Sequence, residues 1–106
     1  MTEAERRLVR RFPMGQEVRY SVRDARKGAA GTGTTVNMSS HGVLFTADRP
    51  LSAGSPLTLE VKWPVLLDDA KALKLVTHGK VVWCDNLRIA VEFNDWEFRT
   101  RCPAWL

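Results

Sequence analysis

Leu87-Arg88-Ile89-Ala90-Val91-Glu92-Phe93 decides the fold. In an extended chain Leu87, Ile89, Val91 and Phe93 share one face, while Arg88, Ala90 and Glu92 share the other, the period of a half-buried strand. The same alternation runs upstream. Val18, Tyr20 and Val22 alternate with Arg19, Ser21 and Arg23, and Leu57, Leu59, Val61 and Trp63 alternate with Thr58, Glu60 and Lys62. Turn chemistry separates these runs at Arg26-Lys27-Gly28, Gly31 to Gly33, Asn37 to Gly42, Pro50 to Pro56 and Asp85-Asn86. The pattern predicts antiparallel strands near 16–25, 31–38, 42–48, 56–63, 72–84 and 87–94. Six short strands with little helix between them predict an all-β, six-stranded antiparallel barrel, because closure removes exposed sheet edges.

Two stretches interrupt the alternation. Trp63 to Ala70 holds Pro64, Asp68 and Asp69 and reads as a loop between barrel strands. Asn94-Asp95-Trp96-Glu97-Phe98-Arg99 reads as the start of a short C-terminal helix, with Asn94 or Asp95 as N-cap and an end before Pro103. A chain of 106 residues is one domain with one core. It divides into a basic arm (1–15), a barrel (16–94) and a short helix or tail (95–106). The last residues, Trp105 and Leu106, are expected to fold back and cap the barrel or to dock a partner.

The net charge of +4 is unevenly placed. Residues 1–27 carry eight Arg or Lys against four acids, and residues 28–106 carry eight of each sign. A basic arm on a neutral body favours one compact anionic ligand over an extended nucleic acid, which calls for a basic stripe across a face. The first residues have no apolar run resembling a signal peptide, and no stretch has the length of a membrane span. The expectation is a cytoplasmic protein whose two cysteines, Cys84 and Cys102, are free thiols.

Two short motifs carry the functional reading. Arg6-Arg7-Leu8-Val9-Arg10-Arg11 offers two arginine pairs four positions apart, and Asn37-Met38-Ser39-Ser40-His41-Gly42 follows about thirty residues later. Guanidinium groups bind phosphate or guanine edges in bidentate fashion and stack on bases. Asn37 offers amide donors and an acceptor, Ser39 a hydroxyl, and Gly42 room for close backbone approach. His41 adds a possible donor within the loop.

An R-x-x-x-R arm ahead of an N-x-S-x-x-G loop resembles the PilZ domain family, whose members typically bind the bacterial second messenger cyclic di-GMP. The resemblance assigns the first motif to Arg7 and Arg11, because Arg11-Phe12-Pro13 continues as the family pattern does. Arg6 stands just before the motif, where residues of the family influence ligand number, and Arg10 is a solvated bystander. Asn37 departs from the Asp that many members carry. Gly79-Lys80-Val81-Val82-Trp83 and Arg88 to Phe93 resemble the family's final hairpin, which places Trp83 either beside the ligand or in the core. The resemblance implies a split-barrel fold and a ligand site of Arg6, Arg7, Arg11, Asn37, Ser39, Gly42 and Trp83. It further implies cyclic di-GMP as ligand, no other cofactor, no metal and no catalysis. The arm is expected to be mobile when empty, to clamp the ligand against the barrel, and to signal to a protein effector.

The residues also allow other readings. Ser39, His41 and His78 imitate a nucleophile and bases, but a serine two residues from its supposed base within a turn is poor geometry. His41, His78, Cys84 and Cys102 lack the paired short spacings of a metal site. Family members without nucleotide binding serve as protein-interaction modules, and these usually lack the arginines. A small basic barrel binding single-stranded nucleic acid would use Trp63, Trp83 or Phe45 as stacking platforms.

Overall fold

The computed structural model describes residues 14–23, 30–67, 71–102 and 105. Six strands follow one another along the chain: β1 (Glu17–Val22), β2 (Ala30–Met38), β3 (Gly42–Ala47), β4 (Pro56–Leu67), β5 (Lys71–Asp85) and β6 (Arg88–Thr100). They close into an antiparallel barrel in the order β1-β2-β3-β6-β5-β4. Closure depends on β1, whose residues pair with β2 on one side and with β4 on the other, as in Tyr20 opposite both Gly31 and Leu59.

The alternation seen in the sequence becomes the barrel's inside and outside. Val18, Tyr20, Phe45, Leu57, Leu59, Val61, Ile89 and Val91 fill the interior, and Arg19, Thr58, Glu60, Arg88 and Ala90 lie on the outer wall. Leu87 departs from its predicted face. It sits in the turn before β6 and is exposed.

Two predicted interruptions prove to be strand. Of the loop expected from Trp63 to Ala70, residues 63–67 are instead the end of β4, which runs to Leu67, and residues 68–70 lie outside the described residues. Pro64 lacks the amide hydrogen of a regular ladder, and the register shifts between Trp63 and Leu67 before Leu67 pairs with Lys71. The short helix expected after Phe93 is likewise the second half of β6. Among the described residues this end of the chain holds no α-helix.

The physical reason is pairing and packing together. β5 extends far enough to pair Leu75 with Phe98 and Thr77 with Trp96. Phe98 then packs edge-on against Trp63 with ring centroids 5.2 Å apart, and Trp96 against Phe98 at 5.5 Å. The cap-like Asn94-Asp95 pair falls at a register shift, where the Thr77 hydroxyl donates to the Asp95 carbonyl. Trp96-Glu97-Phe98-Arg99 itself alternates at period two, and that period outweighs the cap signal.

Trp105 folds back, but onto the outer wall and not over the barrel's end. It is 3 % exposed and lies under the guanidinium of Arg19, 4.2 Å from its ring centroid. Val76 faces outward by register in the same lateral row as Arg19 and Glu60, yet it too is buried. The thiols of Cys84 and Cys102 are free. No helix among the described residues is long and apolar enough to cross a membrane. The predicted basic arm lies outside the described residues except for Met14 and Gly15.

One polar contact ties the buried wall to the rim. The Tyr20 hydroxyl donates to Asp48 Oδ1 at 2.5 Å, and Arg49 flanks the same carboxylate. Burial, followed by the bond to Asp48, pushes the Tyr20 phenol up to about 12. The donated hydroxyl holds the Asp48 carboxyl below its usual range. Tyr20→Phe is expected to lower stability by about 1 kcal/mol near neutral pH, the Asp48 side chain being partly screened by solvent. The depressed carboxyl contributes above its unfolded pKa and loses that contribution as pH falls through its folded value. The raised phenol contributes below its unfolded pKa and loses that contribution as pH rises toward 12. Urea unfolding should therefore show a gap between wild type and variant that is flat from about pH 5 to 9 and narrows on both sides.

Candidate functional site

A β-bulge aims the second motif. Thr35 pairs with Phe45, but the next pair along β2 and β3 is Asn37 with Leu44, so Val36 is an extra residue. Strict alternation from the inward Thr35 would turn Asn37 inward and Met38 outward. The bulge reverses both, leaving Asn37 exposed and Met38 buried in the core.

The loop after Asn37 is held by its own backbone. The Ser39 amide donates to the Gly42 carbonyl at 2.8 Å, and the His41 amide donates to Ser39 Oγ at 3.3 Å. The His41 carbonyl accepts the Phe93 amide at 2.9 Å, which pins the loop to β6. Gly42 serves this approach: a Cβ there would stand 3.0 Å from the Val91 carbonyl oxygen. Its close backbone neighbour is thus β6, which would have to give by a few tenths of an ångström to admit a side chain.

Asn37, Ser39 and Gly42 line one open cavity of about 240 Å³, with Leu44 and Ala90 among its other walls. Trp83 stands at the far side of the same surface. Asn37 pairs with Leu44, Leu44 with Ala90, and Ala90 with Trp83, one lateral row across β2, β3, β6 and β5. Four neighbouring strands span about 14 Å. Ala90 is the smallest member, so the row dips between Leu44 and the indole. Trp83 is 44 % exposed and lies outside the core cluster, which removes the core-packing reading. A register shift between Val81 and Trp83 leaves Val82 and Trp83 both exposed.

The chain that follows the arginine segment enters beside this row. Gly15 donates its amide to the Thr35 carbonyl at 2.7 Å, and the Thr35 amide donates to the Gln16 carbonyl at 2.9 Å. The Gln16 amide donates to Thr35 Oγ1 at 2.8 Å. Arg6, Arg7 and Arg11 themselves lie outside the described residues.

The structure thus brings Asn37, Ser39, Gly42 and Trp83 to one outer face. It also adds residues that motif reading missed. Leu44 and Ala90 carry no polar group and signal nothing as motifs, although Ala90 is the small residue on the outward face of its strand. Thr35 and Gln16 have no signal at all, because their role follows from a register that only pairing fixes.

The other chemistries find little geometry. Ser39 and His41 meet through the histidine's backbone amide, while the His78 ring shares a hydrogen bond with Thr58 on the outer face of β4. No cluster of three or more metal-capable side chains occurs among the described residues. Of the three stacking platforms expected for single-stranded nucleic acid, Trp63 and Phe45 are buried in the core, and only Trp83 is presented.

A closed β-barrel with a cleft on its outer wall defines a class of small binding domain. The PilZ domain profile matches residues 5–101, and the chain belongs to the PilZ domain family. Comparison with curated proteins gave no match, and comparison with solved structures gave none.

A side chain at Gly42 would have to displace backbone. Gly42→Ala is expected to lower stability by about 1 kcal/mol, the low end of overpacking penalties. For a domain of this size that is about 4–8 °C in melting temperature. The largest amide chemical-shift changes should fall at Val91, Glu92 and Phe93.

Proposed function

We propose that this chain is a cyclic di-GMP receptor domain, without chemistry of its own, acting in the cytoplasm and signalling to a protein effector. Arg7 and Arg11 take the phosphates and guanine edges, Arg6 influences how many ligand molecules stack, and Asn37 and Ser39 offer polar contacts. Trp83 stacks a base, and Gly42 shapes the loop. The observation that carries the reading is the row from Asn37 to Trp83, with the root of the arginine segment hydrogen-bonded one bulge away from Asn37. Three Cα–Cα steps lead from Arg11 to Met14, a reach of at most about 11 Å.

The division of labour is physically coherent. The barrel wall supplies an indole and amide edge but little net charge, and the arginine segment supplies the charge. Two phosphodiesters and two guanines need both. Family membership supports a receptor-type domain, and the R-x-x-x-R motif supports the nucleotide as its ligand. Ordering the arm consumes conformational entropy that charge-assisted hydrogen bonds must exceed.

A second reading draws on one observation. Val82, Trp83 and Leu87 are exposed apolar side chains near one another in sequence, a surface that also suits a protein-interaction module.

Isothermal titration calorimetry with cyclic di-GMP, with GTP as control, separates the two. Saturable binding at micromolar or lower concentration is expected. Arg7→Ala and Arg11→Ala should each weaken it by about 1.5–3 kcal/mol, as for lost charged hydrogen bonds. Trp83→Ala should weaken it by about 1–3 kcal/mol, as for a lost base stack. Absence of binding heat would leave the interaction module as the surviving reading.

A further inference from the structure

We propose that a small cavity on the core side of Ser39 and Ser40 is a hydration site. One water molecule there accepts the indole N–H of Trp63 and donates to the loop, which makes Trp63 a positioning residue for Ser39. The hydration site stands apart from any ligand, and only its consequence for binding rests on the cyclic di-GMP reading.

Trp63 is 1 % exposed, the largest of the fully buried side chains, and its Nε1 finds no hydrogen-bond partner among the described residues. A buried donor left without an acceptor is costly, and protein interiors nearly always supply one. The surroundings of the indole point to where. Trp63 lines a cavity of about 10 Å³ together with Ser39 and Ser40, and the remaining walls are Met38, Leu75, Phe93 and Trp96. That volume is at the lower bound for one water molecule and too small for any larger ligand. The lining decides what fills it. An apolar cavity of this size stays dry, whereas a buried N–H facing two serines meets the need of a water for at least two polar partners.

Ser39 has capacity for the second bond. Its hydroxyl accepts the His41 amide at 3.3 Å and reaches the Gly42 carbonyl at 3.4 Å, which leaves one lone pair over. Met38 and Ser39 line this inner cavity and also the outer cleft beside Asn37 and Gly42, so they form the partition between the two. Backbone bonds fasten the ends of the loop, from the Ser39 amide to the Gly42 carbonyl and from the Phe93 amide to the His41 carbonyl. The water fastens the partition itself to the core. Trp63 is buried, and therefore acts through Ser39 and not by touching a ligand.

Two tests need no ligand. A high-resolution crystal structure should show a water within about 3.2 Å of Trp63 Nε1 and within hydrogen-bond distance of an oxygen of Ser39 or Ser40. A cavity without density, or a protein oxygen bonded directly to Nε1, would overturn the hydration site. Hydrogen exchange at the Ser39 amide then reads the positioning. Trp63→Phe keeps an aromatic ring but removes the N–H, and should speed that exchange about three- to tenfold, the range of one lost hydrogen bond. Phe98→Leu loosens the same aromatic cluster and keeps the N–H, so it should leave the rate near that of the wild type. Equal acceleration in both variants would mark lost packing alone and overturn the positioning role. Benzothienylalanine at position 63, with sulfur in place of the N–H at nearly the same volume, decides the matter should Trp63→Phe fail to fold.

Calorimetry with cyclic di-GMP tests the consequence. Trp63→Phe is expected to weaken binding by up to about tenfold, the same hydrogen bond felt through Ser39, while Phe98→Leu binds as the wild type does. Equal affinities in wild type and Trp63→Phe would show that the tie has no bearing on recognition and overturn that consequence. A wild type that binds no cyclic di-GMP would sink the receptor reading, while the crystal structure and the exchange rates would still decide the hydration site and the role of Trp63.

Discussion

Closure of the sheet is the constraint on which the rest of this structure depends. β1 is only six residues long, yet it pairs on both sides, with β2 and with β4. Its backbone groups have no free edge to offer, and every side chain of the barrel is forced to choose between a filled interior and the outer wall. Interior positions are taken by bulky residues such as Phe45, Leu57, Leu59 and Ile89. Among the described residues the interior positions are filled by side chains, and the cleft lined by Asn37, Ser39 and Gly42 opens on the outside.

An outer wall built from strict alternation would be a plain surface, and the irregularities are what give it features. The extra Val36 re-aims Asn37, and the shift at Val81–Trp83 brings the indole outward. Gly15, at φ 73°, hydrogen-bonds Thr35 next to the extra Val36. All three lie on or beside β2, β3, β6 and β5, and none lies within the register of β1 with β4, which runs without interruption from Val18 to Val22. Regular pairing closes the barrel on one side, and departures from it form the cleft on the other.

How far the sequence disclosed this follows from what its signals measure. Alternation measures which side of a strand is dry, so all six expected strand starts fall within one residue of the observed ones, and the closed architecture was legible with them. It does not measure where a strand stops. Pro64 and the Asn94-Asp95 pair are local signals of interruption, and both were overridden by partners distant in sequence, Lys71 for Leu67 and Thr77 for Trp96. A strand continues for as long as a neighbour offers a ladder, and that neighbour is invisible to a local reading. Asn37 and Ser39 stood out as candidates by their polar side chains and Gly42 by its lack of one, and the structure places them along one cleft. Leu44, Ala90 and Thr35 did not stand out, since they act through size, register and a hydroxyl turned toward the backbone.

The placement of charge gives the proposed receptor its logic. Residues 28–106 are electrically balanced, and the excess of four positive charges lies within the first 27. A neutral wall with one exposed indole would hold a planar base weakly and without discrimination, and a free arginine pair would attract any phosphate. Neither is selective alone. In the proposed receptor both act on one ligand, the arginine segment through charge and the wall through its stacking surface. Binding both ends of one molecule converts two weak contacts into one intramolecular event, and the gain depends on how narrowly the tether confines the second group. A longer or more loosely rooted arm would keep every contacting residue and still lose affinity.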